Sequence, residues 1–134
     1  PRLYDELNSS HLCVHGASRQ ALAIGYVQIN NAPRFLSPIT NNYSLEEYPP
    51  RWSEHRQPAD TLRVLQKIAE IPRRSNHSES GFDGIGVTVL DFANDGGPVA
   101  LVESPPAPQQ GDPFHYAGMI VRMANEYDTV FANI

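Results

Sequence analysis

The chain has 134 residues, a formal net charge of −5, and 40% hydrophobic against 19% charged residues. That length is close to the commonest for one domain and buries roughly two-thirds of the unfolded surface, so one globular domain over 1–134 is expected, with no need of a disulfide or metal. An acidic chain with nine arginines, one lysine (Lys67) and no basic run excludes broad phosphate-backbone binding, and with it nucleic acid as a partner.

One cysteine, Cys13, leaves no intrachain disulfide and favours a reducing compartment. The longest apolar stretch, 21–27, is too short to span a bilayer, and the polar start at 1–8 does not read as a signal peptide. The expected location is therefore cytoplasmic, without membrane association.

In chain order, residues 3–8 suggest a short helical turn. His11-Leu12-Cys13-Val14-His15 alternates and includes a β-branched valine, so it reads as a short strand, followed by a turn at Gly16. Residues 21–29 read as a strand that ends on the turn signal Asn30-Asn31. Residues 34–39 would return as the second arm of a hairpin, with Pro38 confining that arm to an edge. Residues 40–56 look irregular and carry Tyr43, Tyr48 and Trp52. Residues 58–71 give the clearest helix, with Pro58 in its first turn and a stripe of Leu62, Leu65, Ile68 and Ala69. Arg73-Arg74 then reads as a solvated helix end.

A polar loop at 75–84 leads to strands at 85–92 and 99–104 around Asn94-Asp95-Gly96-Gly97, the strongest hairpin signal in the chain. The first of these strands is apolar on both faces, which predicts a central strand covered on each side. After a stiff proline-rich connector, Asp112 suits a helix N-cap and Pro113 a first helical residue. Tyr116, Met119, Ile120, Met123 and Tyr127 then share one helical stripe, and 129–134 suggests a last short strand. The order is roughly β-β-β-α-β-β-α-β. The fold class is α+β: an antiparallel or mixed sheet with two main helices packed on it.

Three patterns suggest chemistry. On a strand, His11, Cys13 and His15 would project to one face, where imidazole and thiolate suit zinc or copper. Known zinc spacings are longer, and a fourth ligand would have to come from His55, His77 or His115, so no metal and no cofactor are expected. Asp91 and Glu103 lie on neighbouring strands, just after Asp83. A magnesium-dependent nuclease site wants an acid followed by Glu-x-Lys, whereas here the triplet is Glu103-Ser104-Pro105, without the lysine. If the turn occupies 94–97, residue 91 faces residue 100, and Asp91 and Glu103 fall on opposite faces; a three-residue loop with a bulge would bring them to the same face. Finally, Gly81-Phe82-Asp83-Gly84-Ile85-Gly86 precedes a strand, not the helix a phosphate-cradling loop requires.

The function expected on these grounds is a small, soluble, non-enzymatic binding or regulatory module for a small molecule or a protein partner. Its site would be built from the two loops and the aromatic segment, with Tyr43, Tyr48, Trp52, His77, Asp83 and His115 as binding residues. A homodimer fits the helical stripes and edge strands. Two alternatives stand beside it. One is a small hydrolase or metal-dependent enzyme using His11, Cys13, His15, Asp83 or Glu103. The other is an acidic inhibitor or antidote protein with a patch around Asp5, Glu6, Glu46 and Glu47.

Overall fold

The computed structural model describes residues 2–38, 40–42 and 48–131. Its elements are α1 (Arg2–Ala17), β1 (Ile24–Asn30), β2 (Arg34–Phe35), β3 (Ser53–Glu54), α2 (Ala59–Ala69), β4 (Gly84–Asp91), β5 (Ala100–Val102) and α3 (Tyr116–Phe131). The class is α+β, as the residues predict, and the succession α2, β4, β5, α3 is the one expected. The differences fall at the two ends and around 34–56.

β4 lies between β1 and β5, parallel to the first and antiparallel to the second. Its alternate residues Ile85, Val87 and Val89 are each at most 2% exposed. They meet Val27 and Ile29 of β1, Ile68 of α2, and Ile71 and Phe82, while Leu3, Tyr4 and Leu7 of α1 pack around the same core. The opposite face of β4 receives α3. Gly86 makes that approach close: a Cβ there would stand 2.7 Å from Met119 Sδ and 3.1 Å from Met119 Cβ. A parallel pair needs a long crossover, which here runs through β2, β3 and α2.

α1 replaces the strand expected at 11–15. A helical turn brings His11 and His15 to one face, where both are buried, and leaves Leu12, Cys13 and Val14 exposed. The alternation in that pentapeptide is thus not the pleat of a strand. The inward positions Tyr4, Leu7, His11 and His15 follow the helical period, but two of them are polar, which hides the stripe.

The second arm expected at 34–39 does not return against β1 over its described residues, 34–38; residue 39 lies outside them. Arg34 and Phe35 pair with Glu54 and Ser53, so β2 and β3 form a separate two-stranded ribbon. The reason is that β1's partner is β4, whose Leu90 carbonyl accepts the Asn31 N–H at the point where the hairpin would have turned. The inward face of α2 is also rotated from the expected stripe. Thr61 and Ile68 are buried, whereas Leu62 is 45% exposed. Thr61 takes the inward place because its hydroxyl is satisfied by Asn31 and Gln57.

The hairpin turn behaves as expected. Asn94 and Gly96 both take positive φ, and Asp91 pairs with Ala100. α3 starts later than Asp112 and Pro113 suggest. The His115 N–H bonds the Asp112 carbonyl, and the Phe114 carbonyl accepts the Val87 N–H, so residues 114–115 extend the sheet edge before the helix begins. At its other end α3 continues to Phe131, in place of a strand from 129; residues 132–134 lie outside the described residues.

Candidate functional site

Arg73-Arg74 is not a solvated helix end. α2 stops at Ala69, and Arg74 turns inward, its side chain fully buried. Arg74 Nε donates to Asp83 Oδ1 at 2.7 Å and Nη2 to Asp83 Oδ2 at 3.2 Å, while Nη2 also reaches the carbonyls of Arg19 and Ala21. Asp83 Oδ2 accepts the Ala23 N–H at 2.8 Å and lies 3.3 Å from His15 Nε2. His15 Nε2 also faces the Ala21 carbonyl at 3.1 Å; with two acceptors before it, this nitrogen carries the hydrogen. Burial alone pushes the Asp83 carboxyl up, but the Arg74 and Ala23 hydrogen bonds and the Arg74 and His15 charges outweigh it and hold it below its ordinary value. Asp83 is therefore a buried clasp joining α1, β1 and the start of β4. It is not a free acid.

His11 stands beside this clasp, edge-on to Phe82 at 5.2 Å between ring centroids. Burial first, then the charges of His15 and Arg74, lower its pKa. Cys13 points away from both histidines, so the triplet does not converge. Among the described residues no three His, Cys, Asp or Glu side chains gather to hold a metal ion. Asp91 and Glu103 fall on opposite faces of the hairpin, as the register 91 to 100 requires. Of the acidic patch, Asp5 and Glu6 are exposed in the first turn of α1, whereas Glu46 and Glu47 lie outside the described residues.

Of the six expected binding residues, those that are described divide between two ends of the molecule. Tyr48 is 56% exposed, and Trp52 stacks under the Arg34 guanidinium at 3.8 Å. Their ribbon is tied by the Leu36 N–H to the Ala93 carbonyl, beyond the C-terminal end of β4. Asp83 and His115 lie toward the other end of the strand, whose length is roughly 26 Å at 3.3 Å per residue. His77 is half-buried, and its carbonyl accepts a bond from Arg19. Tyr43 lies outside the described residues.

Around Asp83 and His115 the two expected loops do meet. A cleft of about 520 Å³ is lined by Arg73, Arg74, Ser75 and Asp83 on one side and by the 110–113 turn, His115 and the first turn of α3 on the other, with Arg122 at its wall. His115 also lines a second cleft of about 360 Å³ between β4, β5 and the 107–110 segment. His115 Nδ1 accepts the Ala117 N–H and so caps α3.

A third surface carries the helical stripe that the sequence predicts on α3. α3 has 16 residues and none is buried. Met119 faces the sheet, but Tyr116, Ile120, Met123 and Tyr127 are 38%, 49%, 38% and 56% exposed. Tyr116 and Ile120, with Met119, border a groove floored by Tyr26, Gln28, Thr88, Leu90 and Leu101, while Met123 and Tyr127 continue the stripe beyond it. Among the described residues no helix is long and apolar enough to cross a membrane. Comparison with protein-family models, with curated proteins and with solved structures returns no match.

Proposed function

We propose that this chain is a small non-enzymatic binding module that recognises a protein surface through the groove between α3 and the uncovered part of the sheet, and that a second copy of the chain fits this groove. One observation carries the reading: the exposed residues Tyr116, Ile120, Met123 and Tyr127 of α3 repeat at spacings of four, three and four. That is the seam of a helix packing knobs into holes against another helix. Tyr26 and Leu101, about half exposed, widen the seam onto the sheet.

Charge and area both favour a second copy. None of the six side chains is charged, on a chain whose net charge is −5, so this face is where two copies meet with least repulsion. Six large side chains at about half exposure offer on the order of 500 Å² of apolar surface, which matches the apolar share of a stable interface side of about 800 Å². Monomers rarely leave a larger contiguous apolar patch in water.

Light scattering across a micromolar-to-millimolar range tests the reading. The expected particle has twice the 14.9 kDa chain mass. Ile120→Asp and Tyr127→Asp should each return it to one chain with an unchanged far-UV spectrum. A wild-type particle of single-chain mass at every concentration would remove the second copy as partner.

A further inference from the structure

We infer that the cleft between Arg74 and the first turn of α3 binds the phosphate group of a small organic phosphate. The site is independent of the α3 seam and does not rest on self-association.

The argument starts from hydrogen-bond donors. Arg74 uses Nε and Nη2 on Asp83 and on two carbonyls, but Nη1 is buried and has no partner among the described residues. Arg122 gives Nη2 to the Arg74 carbonyl at 3.0 Å and to Glu126 at 3.1 Å, leaving its Nε buried and likewise without a partner. Buried guanidinium donors are costly to leave unsatisfied, and native proteins rarely do so. Both residues line the same cleft. Arg73 adds a third guanidinium at the rim. It stacks on Phe114 at 4.6 Å, and its hydrogen bond to the Pro113 carbonyl is long, at 3.4 Å.

The hydrogen-bond inventory selects an anion. Three arginines line the cleft with two carboxylates, Asp83 and Asp112, and Glu126 pairs with Arg122. Asp83 is held by Arg74 and Asp112 accepts the Gln109 N–H, whereas Arg74 Nη1 and Arg122 Nε remain donors without an acceptor among the described residues. Ala117 and Gly118, in the first turn of α3, also line it, so the positive end of a sixteen-residue helix faces the same space. Guanidinium edges and a helix N-terminus together match the several oxygens and double charge of a phosphate better than the two oxygens of a carboxylate. The volume, about 520 Å³, exceeds what a bare phosphate fills and leaves room for an organic part.

The test is titration of the full chain with inorganic phosphate and then with glycerol phosphate, at constant ionic strength set by chloride, followed through backbone amide shifts. Saturable shifts are expected at 73–75, 84 and 111–119, with the monoester binding more tightly than inorganic phosphate. Arg122→Gln should weaken both by about tenfold, the loss of one charge-assisted contact. Because Arg122 also holds the Arg74 carbonyl, the exposed Arg73→Ala serves as a second variant, with weakening expected and the fold retained. Shifts that do not saturate, that lie elsewhere, or that persist unchanged in both variants would overturn the site. Binding of inorganic phosphate without the monoester would overturn the organic ligand.

Discussion

At the scale of single residues, the Arg74–Asp83 pair has the largest consequences. Removing one partner of a buried pair leaves the other charged and unmatched, which typically costs about 3–5 kcal/mol. Asp83→Ala should lower the stability to urea by that order. The double variant Arg74→Met with Asp83→Leu should cost much less than the sum of the two single changes, because no lone charge remains. Additive losses in this cycle would show that the pair is not coupled. The same neighbourhood predicts a pH dependence. Folded His11 resists protonation, whereas the unfolded side chain titrates at its ordinary 6.5. Below that pH the unfolded chain binds a proton that the folded chain refuses, so stability present above 6.5 is lost as pH falls. Asp83, also lowered, adds a second loss that begins below its ordinary 3.8. The urea midpoint should therefore fall between pH 7 and a pH midway between those two values, and fall again under strong acid. A flat profile over the first window would contradict the burial of His11.

At the scale of elements, glycines and prolines do not act alike. Gly81 sits at φ +141° with the Pro72 and Arg73 backbone within 2.8 Å of where a Cβ would be, so it lets Phe82 fold back onto Arg73 and Arg74. Gly86 opens the sheet face to α3. Gly86→Val would push two methyl groups into Met119 and should cost roughly 1–3 kcal/mol, read as a lowered melting temperature. Met119→Ala in that background should recover part of the loss. If it recovers none, the contact between α3 and β4 is not the one that Gly86 serves. Asp112-Pro113 shows the opposite case. A good helix-start signal is overridden because Phe114 and His115 are drawn into the edge of β4.

At the scale of the whole molecule, the sheet is covered unequally. One face is sealed by α1 and α2 over Ile85, Val87 and Val89, and the other carries α3 over one part and water over the rest. A protein held together by such a face responds to its own concentration by mass action. The melting temperature should rise with chain concentration in the wild type and be independent of it in Ile120→Asp. A wild-type melting temperature that does not move over a hundredfold dilution, about 2.7 kcal/mol of linkage, would sink the proposal.

The hairpin at 94–97 and the central place of β4 were legible in the sequence, whereas only the pairing of Asp91 with Ala100 decides the register that separates Asp91 from Glu103. Turn chemistry and period-two alternation are local, and the chain states them within a dozen residues. α2 was legible as an element but not in its facing, since burial of Thr61 depends on Asn31, thirty residues away. α1 is not legible as a helix between 11 and 15 because its inward face contains two histidines, and only the packing against Phe82 and Asp83 makes those positions interior. Arg74 looked like a helix-end charge. Its pairing with Asp83 across a turn at Gly81, its orphaned Nη1 and the Arg122 brought beside it from α3 have no local signature. The sequence by itself determined the class, the strong turns and the central strand, because these follow from short-range periodicity and backbone chemistry. Only the tertiary structure decided which charges are buried, which helical stripe faces water and where the two loops close on a cleft, because each depends on contacts between residues far apart in the chain.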